Sequence, residues 1–165
     1  MLIVKVKICG ITNLADAQAA VEMGADMIGF NFYEQSPRFI HPDEAVSIIS
    51  RLPAFIDTVG VYVDPTIEMI KEHIIDGRFN WVQLHGDESP EFCRLLDQFS
   101  VKTIKAIRVK DESSIALAEQ YYTDAVLLDA FDPKRYGGTG IAFDWNIVGY
   151  INKRVFLAGG INPDN

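Results

Sequence analysis

The 165-residue sequence has little of what marks secreted, membrane-spanning or disulfide-bonded proteins. Its two cysteines, Cys9 and Cys93, are too few for a disulfide scaffold and fit a reducing compartment. No apolar run approaches the roughly 18 residues that a membrane span needs. The opening residues, "MLIVKVKICG", contain two lysines and lack a small-residue cleavage site. We therefore expect no signal peptide and a cytoplasmic location.

Positive charge is also scarce. There are 15 Lys and Arg residues against 23 Asp and Glu, a formal net charge of -8, and no basic tract of five or more residues. This balance argues against a nucleic-acid or membrane partner. An anionic substrate would have to be held locally, by a few cations and backbone N–H groups. The length, with 48% hydrophobic residues, predicts one domain with a sizeable core.

Short runs rich in β-branched residues alternate with segments of helical period. Strands are predicted at 2–9, 26–32, 57–63, 79–85, 101–109, 124–130 and 154–160; helices at 13–24, 41–52, 66–76, 89–99, 112–122 and 144–151. The first four helices are expected to begin, in order, with Asn13 as N-cap, with Pro42 in the first turn, with Asp64 and Pro65 as the cap, and with Ser89 and Pro90. Such alternation requires a parallel sheet, and seven units fit a closed barrel better than an open one. A doubly wound sheet remains an alternative, although the first turn, "CGITN", is not a G-x-G-x-x-G fingerprint.

The last residues, "GGINPDN", resemble the start of a helix, with Asn162 suited to the N-cap. Seven units average roughly 23 residues each, so one more would bring the chain to about 190 to 200, the lower limit of a (β/α)8 barrel. We therefore predict an α/β protein: a (β/α)8 TIM barrel whose eighth βα unit is missing from this sequence. Its domain organisation would be a single, C-terminally incomplete barrel over 1–165.

Active sites of such barrels lie at the C-terminal ends of the strands. The candidates at or just beyond these ends are Cys9, Arg38, His85, Asp129, Gly159 and Gly160, together with Gly138 and Gly140 of the glycine-rich loop "YGGTG".

Each of these residues has a second, structural explanation. Cys9 could pack in the core, as Cys93 is expected to do on its helix. Asp129 could cap a turn, Arg38 could be a solvated charge, and His85 could be a turn residue. Packing does not readily explain why all of them fall at one end of the predicted barrel. Glycines followed by a helix start would also suit a phosphate.

Seven short motifs follow one another through nearly the whole chain: "KICGIT", "GADMIGFNFYEQSPR", "VGVYV", "VQLHG", "LLDA", "GGTGIAFDW" and "LAGGI". In this order and spacing they resemble the phosphoribosylanthranilate isomerase family of tryptophan biosynthesis. The resemblance implies that Cys9 is the general base and Asp129 the general acid. It also assigns Arg38 to the anthranilate carboxylate and places His85 in the pocket. The family's last strand and its glycine-rich turn are absent here.

The implied reaction is an Amadori rearrangement, the aldose-ketose isomerisation of N-(5-phosphoribosyl)anthranilate to 1-(2-carboxyphenylamino)-1-deoxyribulose 5-phosphate. It uses no metal and no redox cofactor. A neutral Asp129 would protonate the ring oxygen of the sugar, and a Cys9 thiolate would then remove the proton from C2. The expected partner is a small phosphosugar, and a homodimer or a fusion to a neighbouring pathway enzyme is compatible with the resemblance.

Two other functions remain open. Another phosphosugar isomerase or lyase of the same barrel type is one, although enzymes resembling the histidine-pathway isomerase use two aspartates where this chain has Cys9 and Asp129. The other is a non-catalytic phosphate-ligand-binding barrel or an inactive fragment. Binding alone would need neither the thiol nor the carboxylate, so their joint presence favours an enzyme.

Overall fold

The computed structural model describes residues 4–75, 78–133, 136–138, 140–162 and 164–165. The first two residues of the predicted first strand and the last residue of the predicted third helix lie outside this range. The chain divides into two compact units, Met1–Val82 and Gln83–Asn165. We describe each unit by itself.

The first unit contains three parallel strands and three helices. The strands are β1 (Lys7–Cys9), β2 (Met27–Asn31) and β3 (Asp57–Tyr62); the helices are α1 (Leu14–Glu22), α2 (Pro42–Ile49) and α3 (Ile67–Ile74). Strand β2 pairs with β1 from Lys7↔Met27 to Cys9↔Gly29 and with β3 from Met27↔Asp57 to Asn31↔Val61. This register brings the carboxyl ends of the three strands to one edge.

Local sequence explains where the helices of the first unit begin. The Asn13 side chain accepts a hydrogen bond from the Asp16 backbone N–H at 2.9 Å, which confirms Asn13 as the N-cap of α1. Helix α2 begins with Pro42, as predicted. The cap of α3 was predicted wrongly: Thr66, not Asp64, accepts from the Met69 N–H. Asp64 instead takes a left-handed conformation, with φ of 45°.

The core of the first unit is aliphatic and aromatic. Ile28, Phe30, Val59 and Ile70 are fully buried. Phe32 packs against Tyr62, Phe79 and the ring of His73, with ring centroids 4.7 to 5.5 Å apart. The strands that carry these residues are thus held rigidly below their carboxyl ends.

Strand β4 (Trp81–Leu84) begins in the first unit and ends in the second. The second unit then contains the parallel strands β5 (Lys102–Val109), β6 (Ala125–Ala130) and β7 (Arg154–Leu157), with the helices α4 (Pro90–Arg94) and α5 (Glu112–Ala116). Strand β6 pairs with β5 from Ile104↔Ala125 to Val109↔Ala130 and with β7 from Ala125↔Arg154 to Leu128↔Leu157. All six residues of β6 are buried.

Helices of the second unit are shorter than predicted. Ser89 caps α4 as expected, but both α4 and α5 give way after five residues to single 3-10 turns, Leu95–Gln98 and Leu117–Gln120. The predicted helix at 144–151 is only the 3-10 turn Trp145–Ile147. There the Asp144 side chain accepts from the Asn146 N–H and closes a local turn, which competes with a longer helix.

A cluster of apolar residues covers β5 and β6 where α5 packs. Its fully or nearly fully buried members are Ile107, Val109, Ile115, Ala118, Val126 and Leu128. These contacts anchor β6 up to Asp129. Within the described residues, no helix is long and apolar enough to cross a membrane.

Candidate active site

Cys9 is the last residue of β1, and its thiol lies against the backbone of β2. A Cβ atom built on Gly29 would be 2.8 Å from Cys9 Sγ, so a side chain at Gly29 would displace the sulfur. Cys9 is a free, partly exposed thiol. Its predicted position at a strand end is confirmed. The sulfur fits there because Gly29, its neighbour on β2, has no side chain.

Arg38 lies beside the backbone that follows Cys9. Its Nη1 donates to the Cys9 carbonyl oxygen at 2.9 Å. Gly10 has φ of 86°, and a Cβ there would be 2.6 Å from Arg38 Cδ. The predicted residues Cys9 and Arg38 therefore come together, because Gly10 has no side chain to keep the guanidinium away.

Asp129 lies near the end of β6 and is only 4% exposed. Its Oδ1 accepts a hydrogen bond from the Ala130 N–H at 2.9 Å, and its Oδ2 lies 3.3 Å from His85 Nε2. This separation is short, yet the direction of the ring does not make it a hydrogen bond, and Nε2 is without a hydrogen-bond partner among the described residues. The two predicted residues thus form a buried pair with an unused ring nitrogen.

Two glycine backbones enclose this pair from different loops. A Cβ on Gly137 would lie 2.9 Å from His85 Cε1 and 3.0 Å from Asp129 Oδ2. A Cβ on Gly159 would lie 3.0 Å from Asp129 Oδ1 and 2.9 Å from the Ile141 carbonyl oxygen. Both glycines have positive φ, 75° and 82°. Any other residue at either position would be strained and would press on Asp129 or His85.

The other predicted glycines line the same two loops. Gly138, Gly140 and Gly160 all have φ between 66° and 71°. A Cβ on Gly160 would meet the Ala142 backbone nitrogen at 2.6 Å, whereas a Cβ on Gly140 would have no heavy atom of the described residues within 4 Å. Thr139, between Gly138 and Gly140, lies outside the described residues. Gly140 therefore faces open space, and Gly160 is needed for the approach of two loops.

The turn that carries His85 is held by a buried ion pair. Lys105 Nζ donates to Glu88 Oε2 at 2.8 Å and to the Gly86 carbonyl oxygen at 2.7 Å. The Glu88 carboxylate accepts in turn from the Gly86 N–H. A buried pair of charges is stable only when its remaining hydrogen-bonding capacity is satisfied. This one is well satisfied, and it fixes the backbone directly after His85.

A second charged cluster links that turn to the glycine-rich loop. Asp87 accepts from Arg108 at 2.5 Å and from the Tyr136 hydroxyl at 3.0 Å, and the Arg108 guanidinium lies 4.4 Å from the centre of the Tyr136 ring. Partial burial opposes ionisation of Asp87, but the hydrogen bond from Tyr136 and the charge of Arg108 outweigh it and lower its pKa. Tyr136, which precedes Gly137, is thereby tied to the His85 turn.

Cys93 differs from Cys9 as predicted. It is completely buried on α4, and burial raises the pKa of its thiol to about 11. It therefore stays protonated at neutral pH and is not a base. A cavity of about 520 Å3 lies near the beginnings of β5 and β6, lined by Thr103 and Asp124. It is at the opposite strand ends from Asp129 and contains no thiol, so it is not the candidate site.

Two residues of the candidate site were missed in the sequence. Gly137 was passed over within "YGGTG", although the doubled glycine was a signal that the loop approaches something closely. Gln83 was passed over within "VQLHG", where a polar residue two positions before His85 shares its side of the strand. Among the described residues, no group of three or more metal-ligating side chains is close enough to hold a metal ion.

Parallel strands alternating with helices, and a thiol, a buried carboxylate, an imidazole and glycine-rich turns at their carboxyl ends, define an α/β enzyme of the (β/α)8-barrel class. Comparison with known proteins gives the family. The family model for N-(5'-phosphoribosyl)anthranilate isomerase matches residues 6–165. The chain belongs to this family.

Individual proteins agree with that assignment. The chain is 49% identical over 164 residues, 98% of its length and 80% of the relative's, to the N-(5'-phosphoribosyl)anthranilate isomerase of Geobacter metallireducens. It superposes on the crystal structure of the enzyme from Thermus thermophilus with a TM-score of 0.87 and 36% identity, covering 98% of this chain and 80% of that one. A further structure, solved with reduced 1-(o-carboxyphenylamino)-1-deoxyribulose 5-phosphate, gives a TM-score of 0.78 at 38% identity, covering 99% and 79%.

Proposed function

We propose that Asp129 and Cys9 are the general acid and general base with which this isomerase rearranges N-(5-phosphoribosyl)anthranilate. The observation that carries the proposal is the buried Asp129, 3.3 Å from His85 and enclosed by the backbones of Gly137 and Gly159. Enclosure shields this carboxyl group from water. It is therefore suited to act directly on a substrate oxygen.

The reaction begins at the ring oxygen of the ribose. Asp129 donates a proton to this oxygen, the bond from the oxygen to C1 breaks, and the nitrogen lone pair forms an iminium. Asp129 is then a carboxylate, and His85 Nε2 is the polar atom that lies beside it. A ring N–H at that position would stabilise the new negative charge.

The second step takes place at C2. The iminium makes the C2 proton acidic, and a thiolate at Cys9 removes it to give an enolamine, which tautomerises to the ketone. In this tautomerisation C1 gains a proton and the C2 hydroxyl loses one. C2 is oxidised as C1 is reduced within the same molecule, so the rearrangement needs no redox partner. Arg38, whose guanidinium lies beside Gly10 and bonds to the Cys9 carbonyl oxygen, supplies positive charge at the strand end that carries Cys9.

Binding is proposed to use the same residues. The planar guanidinium of Arg38 can hold the anthranilate carboxylate with two parallel hydrogen bonds, a geometry that Lys cannot copy. Backbone N–H groups of Gly138, Gly140, Gly159 and Gly160 are proposed to receive the phosphate, since left-handed glycines let successive amides turn towards one anion. The open space at Gly140 is consistent with this role. We further propose that the enzyme acts in the cytoplasm, as a monomer or as a homodimer.

The two cysteines provide the test. Cys9→Ala should lower kcat at least about 10²-fold, the usual contribution of a general base, as followed by the loss of substrate fluorescence. The matched control is Cys93→Ala, which removes an equally small side chain from the core and should lower the melting temperature while leaving kcat within about twofold. Full activity of Cys9→Ala, or equal losses in both variants, would contradict the proposal.

A further inference from the structure

Gln83 is a buried polar residue that the proposed reaction does not use directly. It lies on β4 and is 1% exposed. Its side-chain Nε2 lies 2.9 Å from His85 Nδ1, while its Oε1 is buried with no hydrogen-bond partner among the described residues. Burying an amide oxygen without a partner is costly. A leucine would fill the same space without that cost, which indicates that the amide group itself has a function.

Gln83, His85 and Asp129 form a row that ends at the proposed acid. His85 Nδ1 lies 2.9 Å from the amide nitrogen of Gln83, and His85 Nε2 lies 3.3 Å from Asp129 Oδ2, although the two are not hydrogen-bonded in this structure. A neutral imidazole has one N–H and one bare nitrogen. Whether Gln83 donates to Nδ1 or accepts from it therefore decides whether Nε2 can donate to Asp129 or accept from it.

The amide of Gln83 can either donate a hydrogen bond to Nδ1 or accept one from it. When its nitrogen donates to Nδ1, the ring proton is on Nε2 and faces an ionised Asp129. When the amide is turned by 180°, its oxygen accepts from Nδ1–H, and the bare Nε2 can accept from a neutral Asp129. These are the two states that a general acid passes through in one turnover.

We propose that Gln83 is a positioning residue that sets the tautomer of His85 and so lets the ring match Asp129 both before and after it gives up its proton. This inference rests on the proposed role of Asp129. The neighbouring charges are already engaged: Lys105 of β5 with Glu88, and Arg108 of β5 with Asp87. The uncharged amide of Gln83 is the group in direct contact with Nδ1.

Two substitutions test this role on the full chain. Gln83→Glu keeps the length and shape of the side chain but, when ionised, can only accept a hydrogen bond, so His85 Nδ1 must stay protonated. Gln83→Leu removes both the donor and the acceptor of the amide. In each variant we expect kcat to fall roughly tenfold, short of the loss of the acid itself, with KM changed less than about twofold.

The ¹⁵N chemical shifts of the His85 ring give a readout that a merely structural residue would not move. In the arrangement of the structure, with the amide nitrogen 2.9 Å from Nδ1, we expect the wild-type ring to have a bare Nδ1 and a proton on Nε2, which is the tautomer that matches an ionised Asp129. In Gln83→Glu, Nδ1 should become protonated, and in Gln83→Leu the single tautomer should be lost. A His85→Gln variant assigns the signals.

Thr103→Val is the control for a buried polar group of the same unit. Thr103 is 4% exposed and bonds to Asp124 at the start of β5. Its loss should lower stability and leave both kcat and the His85 shifts unchanged.

Support requires both readouts to change in the Gln83 variants. An altered ring with unchanged kcat, or a lower kcat with an unaltered ring, overturns the positioning role. Should one variant fail to fold, the other carries the same two readouts. A wild type without isomerase turnover would instead remove the proposed function, and with it any catalytic reason for the row, whatever the ring spectra show.

Discussion

The surroundings of Cys9 and of Asp129 differ in exposure, although Cys9 ends β1 and Asp129 is the last but one residue of β6. Cys9 is partly exposed and its neighbour Arg38 is exposed, whereas Asp129 is 4% exposed and its neighbour His85 is 9% exposed. A base that takes a proton from carbon must reach the substrate and hold a negative charge, which a nearby cation supports. An acid must act on the substrate oxygen and not on solvent, which enclosure supports. The contrast fits one role for each region.

Both regions use glycine in the same way. Gly10 and Gly29 leave space for Arg38 and the Cys9 sulfur; Gly137 and Gly159 leave space for His85 and Asp129. The difference lies in where the glycines are: around Cys9 they lie on β2 or directly after β1, and around Asp129 they lie in loops. Substitutions should therefore affect the acid region mainly through catalysis and the Arg38 region mainly through binding.

The largest effect is expected at the carboxyl group itself. Asp129→Asn keeps the shape of the side chain but cannot donate the required proton, so kcat should fall by about 10²- to 10⁴-fold. The circular dichroism spectrum and melting temperature should stay close to those of the wild type. The control is Asp97→Asn, at an exposed position, which should keep full turnover. Unchanged turnover in Asp129→Asn would remove this residue from the mechanism.

A smaller but still large effect is expected at the enclosing loop. Gly137→Ala adds a Cβ about 3 Å from both His85 and Asp129 in a backbone conformation that costs about 1–2 kcal/mol for alanine. We expect kcat to fall more than about tenfold, as measured in the same assay. Gly24→Ala imposes similar backbone strain, at φ of 93°, with no heavy atom near the added carbon. It should lose stability only, and equal kcat losses in both variants would show that strain, not contact, is responsible.

A moderate effect on binding is expected at Arg38. Arg38→Lys keeps the charge but loses the paired N–H groups, so KM should rise roughly tenfold, about 1.4 kcal/mol, while kcat changes little. Steady-state kinetics separate the two constants. Arg51→Lys, at an exposed position on the same unit, is the matched control. Equal losses in kcat and in binding would count against a carboxylate-binding role.

The smallest expected effect lies away from both regions, at His73. Burial lowers the pKa of this imidazole from 6.5, and His41 adds to the shift against the opposing charge of Glu72. The unfolded chain therefore binds a proton more readily than the folded one, so stability should fall as pH decreases through about 6.5 and level off below the folded pKa. The loss should be under about 1 kcal/mol, because His73 is only half-buried and solvent screens it.

Urea unfolding at about pH 7.5 and pH 5.5 measures this effect. In His73→Gln the dependence between these pH values should shrink, whereas in His41→Gln, at an exposed position, most of it should remain. A pH dependence that is identical in wild type and His73→Gln would contradict the assignment to His73.

Much of the fold follows from local sequence. Alternating apolar runs and helical periods place all seven strands, and Asn13, Pro42 and Ser89 mark helix starts because capping and proline effects act within one turn. The helix ends were predicted less well. The segment at 144–151 has helical period, yet the Asp144 side chain accepts from the Asn146 backbone N–H, and only Trp145–Ile147 form a 3-10 turn.

The candidate site was predictable as a set of strand-end residues but not as a set of contacts. The approach of Arg38 to Gly10, and of Gly137 to His85 and Asp129, joins segments that are distant along the chain. No local pattern encodes such distances, since they depend on strand register and loop course. Gln83 was missed for a related reason: a polar residue inside a strand is ordinary until its partner is known.

The central claim, that Cys9 takes the proton from C2 after Asp129 has opened the ring, is tested most directly with substrate deuterated at C2. We expect Cys9→Ser, a weaker base in the same place, to turn over the deuterated substrate much more slowly than the ordinary one, because C2–H cleavage then limits the rate. In Asp129→Asn, where ring opening limits the rate, the two substrates should react at nearly equal rates. Equal rates of the two substrates in Cys9→Ser would contradict the account.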